Sequence, residues 1–266
     1  MPRVIALTKQ IIDNPARLFS LTELCKEYNV AKSTMSEDIQ IIRDSFEEAG
    51  IGIIETIIGP TGGVRYLPIG SAKQDDEALE KIAMMLRQSE RVLPGGFLYM
   101  NDILFSPQLC KKIAQAFYNR LRHLKPDYIL TLETKGIPIA LLVAGIFGIP
   151  LLTARRGSKV TEGSAVSINY VSGSTRIVQS MSLPKRSLRV GARVLIVDDF
   201  MRAGGSAQGL IALANEFDAT TVGVGVMVAS KYPQDKLVRD YMSLFELKNV
   251  DEIKKTVDIC VVAHKI

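Results

Sequence analysis

The residues with the clearest chemical potential lie in the stretch VLIVDDFMRAGGSA, Val194–Ala207. Its leading aliphatic residues predict a short buried strand over Val194–Val197, and the carboxylates of Asp198 and Asp199 come where that strand would end. The small residues after them predict a loop that opens a helix over Gln208–Phe217. In open α/β sheets ligands bind beyond the carboxyl ends of the strands, so this stretch is a candidate binding site.

The chemistry expected of this stretch is the binding of a phosphorylated sugar. A small-residue loop at a helix N-terminus offers backbone N–H groups and the positive end of the helix dipole, which suit a phosphate. The two carboxylates repel that anion, but they can accept hydrogen bonds from sugar hydroxyls or approach a divalent cation. The stretch therefore predicts a ribose-5-phosphate site, in which the phosphate is surrounded by Ala203, Gly204, Gly205, Ser206 and Ala207.

Other kinds of site have less support in the sequence. An ordinary strand, turn and helix with a solvated acidic end is the structural alternative. A P-loop is disfavoured because the string G-x-x-x-x-G-K-[ST] is absent. His123 and His264 are the only histidines, and neither stands beside an obvious nucleophile, so a Ser-His-Asp or Cys-His mechanism is disfavoured as well.

A second polar loop is expected to join the same site. Thr134, Lys135 and Gly136 follow a predicted strand over Tyr128–Leu132 and precede a predicted helix over Ile139–Phe147. Backbone N–H groups at a helix N-terminus and the lysine cation again suit phosphate oxygens. Taken alone the loop is better explained as a plain turn, but together with the acidic stretch it is interpreted as a second phosphate loop.

The elements around these loops predict an α/β domain. Strands predicted over Tyr128–Leu132, Pro150–Thr153, Val194–Val197 and Thr221–Val228 alternate with helices, which is typical of a mostly parallel sheet covered on both faces. Within this domain the basic stretch Arg155–Arg193 contains two alternating segments that predict a hairpin. We expect this stretch to be a mobile lid, with a solvated basic loop as the alternative.

The first 74 residues predict three helices and a hairpin. Hydrophobic residues recur at helical spacing in residues 4–12, 21–28 and 33–49, and two apolar runs flank the turn GPTGG. Ser20 and Glu23 have the spacing of a capping box at the start of the second helix. This order of elements is typical of a winged helix-turn-helix domain.

A winged helix would bring a defined set of residues to DNA. The N-terminal residues of its third helix meet base edges in the major groove, and the wing meets phosphates. The candidate contacts are Lys32, Ser33, Thr34 and Ser36 on the helix and Gly62, Gly63 and Arg65 in the wing. The alternative is a small helical dimerisation domain, in which Glu37, Asp38 and Asp44 would lie on a solvated face.

Length, composition and charge set outer limits on these interpretations. The 266 residues, 47% of them hydrophobic, suffice for one large domain or two smaller ones. No apolar run reaches the roughly 18 residues of a membrane span, and the N-terminus lacks the apolar segment of a signal peptide. Three widely separated cysteines fit neither a disulfide framework nor a zinc site, which favours a reducing cytoplasm. Residues 1–74 have a net charge of −1 and residues 75–266 of +6, so the DNA hypothesis depends on pattern rather than on bulk charge.

These motifs resemble those of two known groups of proteins. The stretch Val194–Ala207 resembles the phosphoribosyl pyrophosphate (PRPP) motif of type I phosphoribosyltransferases, and the loop Thr134–Gly136 resembles their pyrophosphate loop. Nearly the whole chain resembles the purine biosynthesis operon repressors of Gram-positive bacteria. The strings that carry this second resemblance are AKSTMSEDIQIIRDSFE, GPTGGVRY, RVLPGGFLYMNDIL, KVTEGSAVSINYVSGS, MSLPKRS, VLIVDDFMRAGGSA and DYMSL.

The resemblance implies a fold and a function. It implies a winged helix-turn-helix domain over residues 1–74 and a type I phosphoribosyltransferase-like, PRPP-sensing domain over residues 75–266. It also implies a homodimer that binds operator DNA and responds to PRPP, with no catalytic residue. We expect Mg²⁺ to enter with PRPP near Asp198 and Asp199.

A second ligand is expected to compete for the same pocket. A purine nucleotide that bears a pyrophosphate group, such as guanosine tetraphosphate, offers similar phosphates and adds a base. The candidate neighbours of that base are Phe97, Phe200 and Arg202, which can stack on it.

Two departures from the enzymes favour sensing over catalysis. Many of the transferases have threonine where Ala203 and Ser206 stand, so a hydroxyl is lost at the first position and kept at the second. Phe200, Met201 and Arg202 are also bulkier than the small residues common there. The alternative is a working purine phosphoribosyltransferase with an auxiliary N-terminal domain.

Overall fold

The computed structural model describes residues 2–59, 62–157, 163–171 and 177–263. The chain divides into two compact units, one built on residues 1–71 and the other on residues 72–144 and 149–266. His264, the centre of the turn GPTGG and parts of the stretch Arg155–Arg193 lie outside the described residues. Within the part that is described, none of the helices combines the length and the apolar character needed to span a bilayer.

The first unit contains three helices and a small antiparallel sheet, as predicted. Its elements are α1 (Pro2–Asp13), β1 (Phe19–Ser20), α2 (Leu21–Tyr28), α3 (Lys32–Ala49), β2 (Ile53–Ile57) and β3 (Gly63–Leu67). The strand order is β1-β3-β2. The second helix spans the predicted residues, and the third begins one residue earlier than predicted. The winged arrangement of helices and hairpin is therefore confirmed.

The periodic apolar residues of the helices form the core of the first unit. Ile11 of α1 and Ile39, Ile42 and Phe46 of α3 are buried. Phe46 packs edge-on against Tyr66 of β3, with ring centroids 5.4 Å apart. Because α3 turns this apolar stripe inward, its remaining faces present polar residues to the surface.

One local prediction for the first unit is wrong, and one feature expected of the dimerisation-domain alternative is not found. Ser20 occupies the N-cap of α2, but its side chain makes no capping hydrogen bond, so the capping box with Glu23 does not form. Asp38 does not lie on a solvated face, because it is 5% exposed and accepts hydrogen bonds from two nitrogens of Arg3 at 2.5 and 3.1 Å. This ion pair joins α1 to α3.

The second unit is an α/β domain around a six-stranded sheet. Its helices and strands are α4 (Ala72–Leu86), β4 (Val92–Leu93), β5 (Phe97–Leu98), α5 (Asn101–Leu104), α6 (Pro107–Leu121), β6 (Tyr128–Leu132), α7 (Ile137–Phe147), β7 (Leu151–Ala154), β8 (Ala165–Val171), β9 (Val178–Pro184), β10 (Arg193–Met201), α8 (Gly205–Asn215), β11 (Thr220–Ser230), β12 (Met242–Asp251) and β13 (Thr256–Val261). The strand order is β13-β12-β11-β10-β6-β7, and every neighbouring pair is parallel except β12 with β13. The prediction of a mostly parallel sheet is confirmed, and the sheet contains two further strands, β12 and β13, that were not predicted.

The strand order reverses between β6 and β10. From β6 the chain moves outward to β7, whereas β10 lies on the other side of β6 and leads on to β11 and β12. Segments that leave the carboxyl ends of two such strands diverge and open a crevice, which is the usual ligand position in open α/β sheets. The loop Thr134–Gly136 follows β6 and the segment Ala203–Ala207 follows β10. The topology therefore brings both predicted phosphate loops to one crevice.

Strand β10 is longer than predicted. It includes both acidic residues instead of ending before them, because Asp198 still pairs with Val226 of the long strand β11. Pairing with β6 has already stopped at Ile196. The two carboxylates thus belong to a regular strand, at the point where its β6 side becomes the wall of the crevice.

The predicted hairpin in the basic stretch is confirmed as the antiparallel pair β8 and β9. Tyr170 and Met181 on these strands are buried, and a Cβ atom on Gly209 of α8 would lie 2.6 Å from Cε of Met181. Arg155 and Ser182 exchange backbone hydrogen bonds of 3.0 and 2.8 Å, which join β9 to the end of β7. The alternative of a solvated loop is therefore wrong for these two strands, and the lid stays a prediction.

Candidate anion site and nucleic-acid interface

The loop after β6 closes tightly on the acidic pair of β10. A Cβ atom on Gly136 would overlap Oγ1 of Thr131 and would lie 2.7 Å from Oδ1 of Asp198. Only glycine therefore allows the backbone of this loop to approach the carboxylate so closely. The structure thus brings together the predicted residues Gly136 and Asp198, which are far apart in the sequence.

The carboxylate of Asp198 is buried and that of Asp199 is half-buried, without full compensation of their charges. Asp198 is 7% exposed, and the N–H of Asp199 donates to its Oδ1 at 3.0 Å. Burial raises the pKa of Asp198 well above its ordinary value, and the negative charge of Asp199 adds to this effect. Burial also raises the pKa of Asp199, although hydrogen bonds and the charge of Lys135 oppose the rise. A cation or several hydrogen-bond donors brought to this pair would therefore stabilise the charged form of both carboxylates.

Two basic groups lie close enough to the carboxylates to act on them electrostatically. Lys135 lowers the pKa of Asp199, and Arg156 lowers that of Asp198. The backbone N–H of Arg156 donates to Oε1 of Glu133 at 2.8 Å, which ties the segment after β7 to the loop after β6. A ligand with both negative and hydroxyl groups would meet cations and carboxylates in one place.

Two residues of this site were missed in the sequence analysis. Arg156 was treated only as part of the basic stretch, because its approach to the acids depends on the neighbouring strand β7. Thr131 lies within β6 and is fully buried, and its hydroxyl has no hydrogen-bond partner among the described residues. An unpartnered buried hydroxyl beside the crevice is a group that a ligand or water would satisfy.

The segment after β10 presents the N-terminus of α8. Gly204 has a φ of 83°, and the N–H of Gln208 makes an intrahelical bond to its carbonyl at 2.9 Å. The backbone N–H groups of Gly205, Ser206 and Ala207 precede that bond, so they are the donors that an anion would meet. Behind them, the carbonyl of Ala203 accepts from Leu237 at 2.9 Å and fixes the turn. The helix begins three residues earlier than predicted, which places Gly205, Ser206 and Ala207 in its first turn, with Ala203 and Gly204 before it.

The carboxylates fit a divalent cation that enters with a phosphorylated ligand. Within the described residues, no group of three or more His, Cys, Asp or Glu side chains forms a metal site of its own. Mg²⁺ commonly takes only one or two carboxylates and completes its shell with substrate phosphates and water. Asp198 and Asp199 supply that number of ligands beside the two phosphate loops.

The three candidate neighbours of a nucleobase remain candidates. Phe97 on β5 is 60% exposed, and its hairpin is tied to the end of β12 because the N–H of Gly95 donates to Oε2 of Glu252 at 3.0 Å. Phe200 is half-buried on β10, and Arg202 is exposed just beyond it. An exposed ring and a guanidinium near the carboxyl edge of the sheet are suited to stacking on a base.

The start of α3 presents the predicted donors to the surface. Lys32, Ser33 and Ser36 are exposed and Thr34 is half-buried. Ala31 occupies the N-cap, where it offers no side-chain acceptor, and the N–H of Met35 makes a helical bond to its carbonyl at 3.0 Å. The backbone N–H groups before Met35 are thus available to an anion, as expected of a helix that meets nucleic acid.

The predicted wing residues have local roles in the structure. The N–H of Gly62 donates to the carbonyl of Gly59 at 3.0 Å, which closes the turn. Gly63 is buried between β1 and β2, where a Cβ atom would overlap the carbonyl of Phe19. Arg65 pairs with Glu55 across the hairpin at 2.5 Å, so part of its charge is already compensated. As DNA contacts these three residues remain predictions.

Comparisons with known proteins agree with this division of the chain. Residues 1–68 match the family "Bacterial purine repressor, N-terminal", and residues 100–264 match the family "Phosphoribosyl transferase domain". The purine biosynthesis transcriptional repressor of Bacillus subtilis (strain 168) is 41% identical over 97% of this chain and 90% of its own length. The purine biosynthesis transcriptional activator of Lactococcus lactis subsp. lactis (strain IL1403) is 40% identical over 97% of this chain and 95% of its own length.

A solved structure supports the fold of the second unit. Adenine phosphoribosyltransferase from Thermoanaerobacter pseudethanolicus superposes with a TM-score of 0.56 over 63% of this chain and 99% of its own. The two sequences are 20% identical there, so this similarity concerns the fold alone.

Proposed function

The chain belongs to the family of bacterial purine biosynthesis transcriptional regulators, and on that premise we propose that it is a repressor released from operator DNA by PRPP. It binds the operator as a homodimer through its winged helix, in the cytoplasm and without a membrane. The observation that supports the proposal is that one chain combines a winged helix with a crevice in which two predicted phosphate loops meet the buried Asp198 and the half-buried Asp199.

In this proposal each part of PRPP binds a different group of residues in the crevice. The 5-phosphate would lie on the N–H groups of Gly205–Ala207, where the helix dipole favours an anion. The ribose hydroxyls would donate to Asp198 and Asp199, and the pyrophosphate would lie on Thr134–Gly136 beside the cation of Lys135. Mg²⁺, held by the two carboxylates, would neutralise part of the ligand's charge.

The second unit acts in this proposal as a sensor without catalysis. Whole-chain similarity is to transcription regulators, one described as a repressor and one as an activator. Of the departures from the enzymes, Phe200 is half-buried at the end of β10, Met201 is buried in the hydrophobic core, and Ala203 lacks a hydroxyl. The alternative, an active purine phosphoribosyltransferase, is favoured by the match of residues 100–264 to the phosphoribosyl transferase domain. Phosphoribosyl transfer to adenine, guanine, hypoxanthine or xanthine would support the alternative.

A purine nucleotide with a pyrophosphate group, such as guanosine tetraphosphate, is proposed as a competitor of PRPP. It would use the same loops, and its base would stack on Phe97, Phe200 or Arg202. Because it cannot occupy the crevice together with PRPP, the two ligands should displace each other in a binding titration. Simultaneous binding would contradict this part of the proposal.

The decisive experiment is a gel shift with the full chain and DNA from upstream of purine genes. Mg²⁺-PRPP should release the DNA, whereas ribose 5-phosphate at the same ionic strength should act more weakly because it lacks the pyrophosphate. Binding that is unchanged or strengthened by PRPP would contradict release by this inducer. A transcription assay in parallel distinguishes a repressor from an activator that uses the same operator contacts.

A further inference from the structure

A polar cavity of about 460 Å³ lies in the first unit between α3 and the β2–β3 hairpin. Its lining comes from the start of α2, from α3 and from the hairpin. The polar side chains that line it are Ser20, Thr22, Lys32, Ser36, Gln40, Arg43 and Thr56. Most of them are hydrogen-bond donors and two are cations, so the lining suits an anionic and strongly hydrogen-bonding ligand.

Arg43 is fixed in the wall of this cavity by three neutral groups. Its Nε donates to the carbonyl of Ile54 at 3.2 Å, and its two terminal nitrogens donate to Oε1 of Gln40 and to Oγ1 of Thr56, each at 2.6 Å. A guanidinium has five N–H groups, so two remain for a ligand. Its side chain is therefore already ordered, and binding an anion there loses little further rotamer freedom.

The charge of Arg43 is not compensated by a carboxylate in the described part of the chain. Arg3 and Arg65 of the same unit pair directly with Asp38 and Glu55. Gln40, in contrast, bridges Arg43 and Asp44, because its amide nitrogen donates to Asp44 at 2.6 Å while its oxygen accepts from Arg43. The amide thus orients the guanidinium without neutralising it.

Lys32 supplies a second cation to the same cavity. It is exposed in the first turn of α3, where the helix dipole is also positive, and no salt bridge to it is found among the described residues. Two uncompensated cations on α3 and the N-terminus of that helix thus border one cavity of about 460 Å³. This arrangement fits a chain of phosphates better than a single small anion.

We propose that this cavity seats the sugar–phosphate backbone of one DNA strand, with phosphates at Arg43 and Lys32. The inference rests on the proposed DNA-binding function and adds Arg43 and its orienting partners Gln40 and Thr56 to the interface. Phosphate contacts fix the register of a protein on the duplex but do not read its sequence. Arg43 therefore contributes equally to operator and unrelated DNA.

The test measures binding of the full chain to fluorescent operator and to a scrambled duplex over a range of salt concentrations. Arg43→Gln and Lys32→Gln should each weaken binding to both duplexes by about tenfold, a loss typical of a hydrogen bond to a charged group. Each should also lower the slope of log affinity against log salt by about one, as expected for one lost phosphate contact. Lys9→Gln removes an equal charge from α1 outside the cavity and should bind like the parent.

A further variant, Thr56→Val, tests the orientation of Arg43 without changing the charge of the cavity. Thr56→Val keeps every charge but removes the acceptor of one Arg43 nitrogen, so affinity should fall several-fold while the salt slope stays unchanged. Thermal melts establish whether each variant is folded. If Arg43→Gln is not folded, the affinities and salt slopes of Thr56→Val and Lys32→Gln test the proposal instead.

The outcomes distinguish this inference from the proposed function. If the parent binds operator DNA and the cavity variants bind it equally well with the same slope, the cavity does not seat the strand although DNA binding stands. If Arg43→Gln weakens only the operator, Arg43 reads bases and the backbone assignment is overturned. If the parent binds no DNA at any salt concentration, both fail.

Discussion

Gly136 and Asp198 approach so closely that a Cβ atom on Gly136 would lie 2.7 Å from Oδ1 of the carboxylate. The loop after β6 and the end of β10 are thereby held against each other before any ligand arrives. A preformed crevice of this kind needs little rearrangement to accept a phosphorylated sugar. The relationship also provides a direct way to block the crevice without altering a charge.

The first prediction concerns this close approach. Gly136→Ala should lower the affinity for Mg²⁺-PRPP at least tenfold, because the added methyl group displaces Thr131 or Asp198 from the crevice. Calorimetric titration of the full chain measures the effect. Gly145→Ala on α7 is the matched control, because a Cβ atom there meets nothing within 4 Å and alanine in a helix is favourable. Parent-like affinity of Gly136→Ala would place the ligand elsewhere.

The second prediction concerns the acidic pair. Asp199→Ala should abolish detectable binding of Mg²⁺-PRPP while leaving the fold intact, since burial already disfavours this carboxylate in the absence of a ligand. Asp258→Ala removes an exposed carboxylate from the edge strand β13 and should retain full affinity. Calorimetry measures both variants, and unchanged affinity of Asp199→Ala would show that the ribose and the metal ion do not depend on it.

The sequence predicted those parts of the site that depend on local patterns. A hydrophobic run, two acids and small residues located the strand and helix at Val194–Ala207, and helical spacing located the three helices of the first unit. The end of β10 was misplaced because the acids interrupt its apolar run, whereas in the sheet the long strand β11 continues the pairing with Asp198. Strand β12 was missed because charged residues break its apolar pattern.

The parts that could not be predicted depend on contacts between distant segments. Thr131 looks like any strand residue until the sheet leaves its hydroxyl buried beside Gly136. Arg43 looks like a solvated helix residue until β2 supplies two of its three acceptors. The contact of Asp38 with Arg3 is likewise hidden in the sequence, because 35 positions separate the two residues.

The third prediction concerns the ion pair of Arg91 and Asp102. Arg91 is 7% exposed, and its terminal nitrogens donate to the two oxygens of Asp102 at 2.7 and 2.8 Å. Asp102→Asn should lower the free energy of unfolding at pH 7 by about 1–2 kcal/mol, less than for a fully buried pair because the carboxylate is partly exposed. Urea denaturation at pH 7 measures this difference.

The pH dependence of the same variant follows from the ion pair. The hydrogen bonds and charge of Arg91 lower the pKa of Asp102 below its ordinary value of 3.8, so the pair stabilises the parent fully above that pH. The contribution is lost as the pH falls through the lower pKa of the folded state. The stability difference between parent and Asp102→Asn should therefore be constant from pH 6 to 8 and shrink at acidic pH. A difference that persists undiminished at the lowest pH would contradict this origin.

The fourth prediction concerns Cys110. Burial raises the pKa of this thiol to about 11, and its Sγ lies 2.8 Å from the carbonyl oxygen of Leu104. Since the thiolate is the reactive form, iodoacetamide at pH 8 should modify Cys110 far more slowly than the half-buried Cys25 and Cys260. Mass spectrometry after timed reaction measures the order, and all three should react in urea. Rapid modification of Cys110 in the native protein would indicate that the packing around α6 opens readily.

The last prediction is the coupling between the two ligands. PRPP is the starting metabolite of purine synthesis, so its abundance should release the operator. A polyanion in the crevice cancels positive charge that DNA would otherwise meet, and it attracts the basic groups beside the crevice, such as Arg156, away from DNA. Either route requires unequal affinity of PRPP for the DNA-bound and the free protein.

Linkage makes this coupling testable from both sides. If PRPP weakens operator binding by a given factor, operator DNA must weaken PRPP binding by the same factor, and couplings of about 1–3 kcal/mol correspond to roughly 5- to 150-fold. Both affinities are measured at fixed free Mg²⁺ and fixed ionic strength, because salt alone changes DNA binding. Asp199→Ala is the control, since it should bind the operator like the parent but no longer respond to PRPP. Operator affinity that is unchanged or higher at saturating PRPP would refute the inducer role, even if both ligands bind where they are placed here.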